Sequence, residues 1–141
     1  MCIRDRDDAP QGILFTVRYH QLDPGNSTIA RAFFPDYNEE DRIVYIFPKW
    51  YTTSFDRVGI MRHELGHVLG FRHEHIREEA PYGCPDEALH NAVALGLYDP
   101  QSVMHYPCAG LGTTSLAFTD FDRQGSWMVY GAPDAKCIFF G

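Results

Sequence analysis

Three histidines and a glutamate within eleven residues constrain this chain more than any other feature. The segment reads His63-Glu64-Leu65-Gly66-His67-Val68-Leu69-Gly70-Phe71-Arg72-His73. On an α-helix, His63 and His67 share one face with Cβ atoms about 5–6 Å apart, so both imidazoles can reach one metal ion. Gly70 can adopt the left-handed turn that brings His73 to the same ion from outside the helix, a conformation that costs other residues about 1–2 kcal/mol. The spacing therefore predicts a metal site of three histidines.

Zinc suits this ligand set. Imidazole nitrogens bind Zn²⁺ at about 2.0–2.1 Å, and three protein ligands leave the fourth position open for water, as in catalytic rather than structural sites. Glu64 follows His63 and is rotated about 100° around the helix axis. It can therefore reach a metal-bound water without binding the metal itself.

The chain pattern predicts an α+β fold. Segments rich in β-branched and aromatic residues predict three strands in one sheet, at Ile13–Tyr19, Thr28–Phe34 and Arg42–Phe47. The residues from Arg72 to Leu111 are mostly irregular, with a short helix expected at Asp86–Leu95.

A long helix is expected to carry the histidine pair. Its apolar stripe is formed by Phe55, Val58, Met61, Leu65, Val68 and Leu69. We expect Ser54 to be the N-cap, Asp56 to lie in the first turn and Gly70 to end the helix.

A second helix is expected near the end of the chain. Thr119 and Asp122 have the spacing of a capping box, and the helix would continue through Val129 and stop at Gly131.

Composition excludes several classes of protein. Apolar residues make up 45% and charged residues 22% of the 141, which is typical of a globular domain. Because the net charge is −7, we expect no nucleic-acid partner, since such a partner requires a basic face. The apolar runs are short, as at Ile43–Phe47, so we expect no membrane insertion.

The cysteines allow one disulfide. Cys84 and Cys108 are the favoured pair because they flank the segment after the histidines, with free buried thiols as the alternative for these two and for Cys137. Residues 1–6 are expected to be non-native or disordered and are left out of the fold prediction.

The histidine segment resembles the metzincin zinc endopeptidases, whose signature is H-E-x-x-H-x-x-G-x-x-H followed by a Met-turn. Ser102-Val103-Met104-His105-Tyr106 resembles that turn. Within the clan, Gly70-Phe71-Arg72-His73-Glu74 and Arg77 look most like the astacins, in a short bacterial-type form. The strands, Thr28–Pro35 above all, look equally like the matrixins.

The resemblance implies roles for further residues. Met104 would form a hydrophobic floor under the imidazoles, and Tyr106 would lie near the zinc and stabilise the oxyanion. An extended peptide or protein substrate would pair with a sheet edge, since an open edge offers unpaired N–H and C=O groups. The expected edge residues are Ile29, Ala30, Arg31, Ala32 and Phe33.

The remaining histidines receive ordinary interpretations. His20, His75 and His90 are expected at the surface, and His105 is not expected to bind metal.

Glu78–Cys84 departs from the run that astacins carry after the arginine. The strand and helix that both families place before residue 12 are absent, so we expect residues 7–141 to be one metzincin-like catalytic domain, truncated at its N-terminus. The resemblance also implies a monomeric protein that is secreted or extracellular.

The sequence thus predicts a zinc-dependent endopeptidase in which a metal-bound water attacks the peptide bond and Glu64 is the general base. Two alternatives stay open. One is a non-catalytic zinc-binding module for protein interaction. The other is a zinc hydrolase of non-protein peptides such as peptidoglycan stems.

Overall fold

The computed structural model describes residues 15–22, 25, 27–85, 87 and 92–133. Within them the chain is α+β, with a three-stranded sheet and two α-helices. Residues 1–6, His90 and Cys137 lie outside the described part, as does most of the predicted helix at Asp86–Leu95. Residues 92–95 of that predicted helix are described and are not helical.

The sheet contains the three predicted strands, each shorter than expected. They are β1 (Thr16–Tyr19), β2 (Ala30–Arg31) and β3 (Ile43–Ile46). The order is β1-β3-β2, with β1 parallel and β2 antiparallel to β3. Thr16 pairs with Ile43, and Ala30 pairs with Ile46. β2 therefore lies at one edge of the sheet, facing away from β1.

The first helix, α1, spans Arg57–Val68 and begins two residues later than an N-cap at Ser54 would place it. Asp56 is the N-cap, because its carboxylate accepts the Val58 N–H at 3.0 Å and so satisfies a free amide of the first turn. The expectation of a Ser54 cap is therefore wrong.

The buried face of α1 differs from the predicted apolar stripe. Val58 is 59% exposed, whereas the face turned inward consists of Gly59, Ile60, His63, Glu64, Gly66 and His67. The reason is that the interior side of this helix holds polar side chains and glycines against which other segments pack closely. A Cβ on Gly59, for example, would lie 2.2 Å from the Ser115 carbonyl oxygen.

The core joins α1 to the sheet edge and to the long segment that follows. Ile60 packs with Val103, Met104 and Leu116, and Ala30 of β2 packs against this cluster. The core therefore fixes the position of β2 and of residues 103–104 relative to α1.

The second helix, α2, spans Asp120–Tyr130 and confirms the predicted capping box. Thr119 Oγ1 accepts the Asp122 N–H at 3.1 Å, and Asp122 Oδ2 accepts the Thr119 N–H at 2.9 Å. Gly131 follows with φ of 80°. Neither helix among the described residues is long and apolar enough to cross a membrane.

Candidate metal centre

Helix α1 places His63, Glu64 and His67 on its buried face. The two histidines are one helical turn apart. The helix ends in a Schellman motif, in which Gly70 N–H donates to His67 O at 2.8 Å and Phe71 N–H donates to Gly66 O at 2.9 Å. Gly70 has φ of +93°, a left-handed conformation that favours glycine. The turn sends the chain back across the helix end and brings His73 beside His67.

The three imidazoles converge as the spacing predicts. One ring nitrogen of each lies within 4.8 Å of the others, and the Nε2 atoms of His67 and His73 are 3.1 Å apart. Two ligand nitrogens of a tetrahedral zinc site are separated by about 3.3 Å when each bond is about 2.05 Å. The three histidines therefore form a site that fits one zinc ion.

Each imidazole is oriented by a hydrogen bond at its other nitrogen. His63 Nδ1 lies 2.8 Å from Val103 O, and His67 Nδ1 lies 2.8 Å from Phe71 O. Since a carbonyl oxygen only accepts, both Nδ1 atoms carry the proton. Both Nε2 lone pairs are then free to bind a metal.

The third histidine has a different kind of partner. His73 Nδ1 lies 2.7 Å from the Glu87 carboxylate, which likewise only accepts. His73 therefore also presents Nε2 to the site.

Burial keeps the three rings neutral. Desolvation, with repulsion between the neighbouring imidazoles, lowers the pKa of His67 and of His73 to about 3, and desolvation lowers that of His63. The neutral imidazole is the form that binds metal.

Glu64 is buried next to these rings. Desolvation raises the pKa of its carboxyl to about 7, opposed by a hydrogen bond from the Ala32 backbone N–H. Ala32 directly follows β2, so this bond joins the glutamate to the edge of the sheet.

Met104 lies against α1 at Gly66. It is 5% exposed, and a Cβ on Gly66 would lie only 2.4 Å from its Sδ. Its backbone is fixed on both sides, since Glu74 N–H donates to Met104 O at 3.0 Å and Met104 N–H donates to Ser102 Oγ at 3.0 Å. The methionine side chain therefore packs directly on the helix at Gly66, the residue before His67.

The Tyr106 ring covers the histidines. Its centroid lies 4.2 Å from that of His73 and 5.5 Å from that of His63. Burial raises the pKa of Tyr106 to about 12, with the Glu64 and Glu87 carboxylates adding to the shift. The phenol is thus a hydrogen-bond donor at neutral pH.

Asp122 links α2 to the segment that carries Met104. Besides closing the capping box, its carboxylate accepts the Ser102 hydroxyl at 2.6 Å and the Val103 N–H at 2.9 Å. The sequence signals the cap, but it does not reveal these two longer-range contacts.

The predicted substrate-edge residues lie along β2 and just beyond it. Ala30 and Arg31 pair with β3, while Ile29 O accepts the Phe47 N–H at 3.0 Å. Arg31 is exposed, and Phe33 is 4% exposed. Only part of the predicted run thus presents its side chains at the surface.

Cys84 and Cys108 form a disulfide, with Cα atoms 5.0 Å apart. This bond joins the segment after the third histidine to the residues that follow Tyr106. It also leaves neither sulfur available to bind a metal with His105, which lies beside them.

Two histidines outside the triad, His75 and His105, are buried. His75 is 2% exposed and stacks on His73 and Tyr106, so the expectation of a surface position is wrong. The reason is a short 3-10 turn at Glu74–Ile76 that directs the ring inward. His105 is fully buried, with Nε2 2.7 Å from the Tyr98 hydroxyl, whereas His20 is exposed as predicted.

Comparison with known proteins gives matches centred on the histidines. The Astacin peptidase family matches residues 49–81, which include the triad but not Ser102–Tyr106. A zinc metalloproteinase of Caenorhabditis elegans, nas-2, is 39% identical over 57 residues, covering 34% of this chain and 20% of that protein. An astacin-like metalloendopeptidase of Gallus gallus is 44% identical over 74 residues, covering 42% of this chain and 18% of that protein.

A second astacin-like metalloendopeptidase, from Coturnix japonica, matches over the same extent. No solved structure matches the chain significantly. The matched part of the chain spans a fifth or less of these relatives' length. The matches support a metzincin-type zinc peptidase as the kind of protein to which the three-histidine site belongs.

Proposed function

We propose that this chain carries the catalytic site of a zinc-dependent endopeptidase with Glu64 as its general base. One observation carries the proposal: a buried carboxylate follows the first of three convergent histidines and accepts a hydrogen bond from Ala32 beside the sheet edge. A module that only bound zinc would not need a carboxylate there. The proposal applies to the site in this chain, which spans a small part of its relatives.

His63, His67 and His73 would hold the ion through Nε2. A zinc ion bound there supplies a Lewis acid that polarises the scissile carbonyl and lowers the pKa of water to about 7. Because three protein ligands leave the fourth position of a zinc site free, a water molecule would complete the coordination.

Glu64 would accept the proton of the attacking water and deliver it to the leaving amine. Its backbone lies within α1, and the hydrogen bond from the Ala32 N–H orients the carboxylate toward the sheet edge. Tyr106, whose ring lies over His73, would donate a hydrogen bond from its phenolic hydroxyl to the developing oxyanion. Met104 would support the imidazoles from below.

An extended peptide would bind along β2. Among the described residues this strand pairs only with β3, so its other edge is open to a further strand. The Ala32 N–H, which donates to Glu64, lies where the strand meets the catalytic group. A substrate paired with β2 would therefore pass next to Glu64.

We also propose a secreted or extracellular location. The Cys84–Cys108 disulfide supports it, because disulfides persist mainly in oxidising compartments.

The test is the variant Glu64→Gln, with Glu40→Gln as the control. Glu40 is exposed in the 3-10 turn at Glu39–Asp41, and its substitution makes the same change of charge. Glu64→Gln should retain one zinc per chain and lose at least about 100-fold in the rate of casein cleavage. Glu40→Gln and the parent should cleave at similar rates, and a chelator should abolish cleavage by both.

Casein cleavage by Glu64→Gln at the parent rate would exclude this glutamate as the base. A parent that binds zinc and cleaves no casein and no member of a peptide library would instead indicate a binding module. Cleavage confined to peptidoglycan stem peptides would move the substrate class to non-protein peptides.

A further inference from the structure

The three histidines differ in the group that orients them. Two donate their Nδ1 hydrogen to neutral backbone carbonyls, whereas His73 donates to a carboxylate oxygen of Glu87 at 2.7 Å. His73 is also the ligand outside the helix, so α1 does not hold its ring. Its orientation depends on the side chain of Glu87, which accepts the hydrogen bond from His73 Nδ1.

A second imidazole, that of His75, lies beside the Glu87 carboxylate. His75 Nδ1 accepts the Tyr106 backbone N–H at 3.4 Å, so the His75 hydrogen is carried by Nε2. That Nε2 is buried, has no hydrogen bond within the described residues and lies 3.6 Å from Glu87 Oε1. The carboxylate oxygen thus lies between two imidazole N–H groups, and the side chain of Glu87 is only 32% exposed.

We propose that Glu87 is a positioning residue that fixes the tautomer and the ring orientation of His73 and thereby strengthens zinc binding. An acceptor at Nδ1 keeps the Nε2 lone pair directed at the metal, and a negative charge on that acceptor makes Nε2 a stronger donor to the metal. Removing such a partner costs about 10–100-fold in metal affinity. The inference rests on the proposed function only in taking zinc as the metal.

The test compares Glu87→Ala and Glu87→Gln with the control Glu78→Gln. Glu78 is exposed in the same stretch of chain, and its substitution removes the same charge. The zinc dissociation constant is measured by competition with a chromophoric chelator. Thermal unfolding of the metal-free proteins and the absorption spectrum of the cobalt-substituted proteins are measured alongside.

We expect Glu87→Ala to weaken zinc binding by at least about 10-fold, Glu87→Gln to weaken it less, and Glu78→Gln to leave it within about 2-fold. The cobalt spectrum of Glu87→Ala should change, because the His73 ring is no longer held. The metal-free unfolding temperature should match that of the parent, which separates positioning from a general structural role.

Zinc affinity of Glu87→Ala equal to that of the parent overturns the inference. So does a loss of affinity that accompanies an equal fall in metal-free stability. Because the measured quantity is zinc affinity, a parent that binds zinc but cleaves no peptide refutes the proposed function without affecting this result.

Discussion

The substitution Gly66→Ala tests whether the Met104 side chain packs on α1 at Gly66. The new Cβ would lie 2.4 Å from Met104 Sδ and 3.1 Å from its Cε, whereas ordinary contacts between such atoms are about 3.5–4.0 Å. Met104 would have to move by about 1 Å or more. Its backbone is fixed by hydrogen bonds on both sides, so its side chain must leave its present position.

Two effects of opposite sign determine how much Gly66→Ala changes the free energy of unfolding. Alanine stabilises a helix interior by about 0.8–1.0 kcal/mol relative to glycine, whereas overpacking costs about 1–3 kcal/mol. Gly125 of α2 is the matched control, because a Cβ there would approach its nearest neighbour, Leu95 Cβ, at an ordinary 3.7 Å. Gly125→Ala should therefore raise the free energy of unfolding by up to about 1 kcal/mol. The free energy of unfolding of Gly66→Ala should be about 1–3 kcal/mol lower than that of Gly125→Ala.

Urea unfolding followed by circular dichroism, in excess chelator, measures both free energies without a contribution from metal. Repeating Gly66→Ala in a Met104→Ala background should remove the penalty, since the clashing atoms are gone. Equal stability of Gly66→Ala and Gly125→Ala would refute the packing described here. A penalty that persists without the methionine side chain would do the same.

Three further substitutions address other parts of the site. Gly70→Ala forces an alanine to φ of +93° and should cost about 1–2 kcal/mol in urea unfolding, together with weaker zinc binding because His73 is displaced. Asp122→Ala removes the cap of α2 and the hydrogen bonds to Ser102 and Val103, so it should lower the free energy of unfolding by about 2–4 kcal/mol. The control Asp120→Ala, at a side chain that is 89% exposed, should lower it by less than about 1 kcal/mol. Similar losses for the two variants would count against the bridging role of Asp122. Tyr106→Phe should reduce kcat for a peptide by about 100-fold and leave zinc affinity unchanged, and an unaltered kcat would remove the phenol from the proposed mechanism.

The metal centre could be predicted from sequence because its geometry is mostly local. His63 and His67 are one helical turn apart, and Gly70 is required by the turn that returns His73 to them. The capping box at Thr119 and Asp122 is local in the same sense, and α2 begins where it predicts.

Other features depend on contacts that no local pattern encodes. Glu87 lies 14 residues beyond His73 in an irregular stretch, so neither periodicity nor spacing points to their hydrogen bond. His75 stands among charged neighbours, which favoured an exposed position, yet a single 3-10 turn buries it against Tyr106.

The sequence also did not predict which face of α1 is buried. Val58 belongs to the regular apolar stripe but is exposed, because apart from Ile60 the interior face is formed by glycines and by the residues of the metal site. A hydrophobic period identifies the helix, but it does not identify the buried face when that face carries polar groups.

Zinc K-edge X-ray absorption of the purified, zinc-loaded protein tests the central claim most directly. The account predicts one zinc per chain, bound by three imidazole nitrogens at about 2.0–2.1 Å and one oxygen ligand, with no sulfur at about 2.3 Å. His73→Ala should lose one imidazole from the spectrum or lose the metal. A sulfur ligand, or an imidazole count that His73→Ala leaves unchanged, would contradict the three-histidine site.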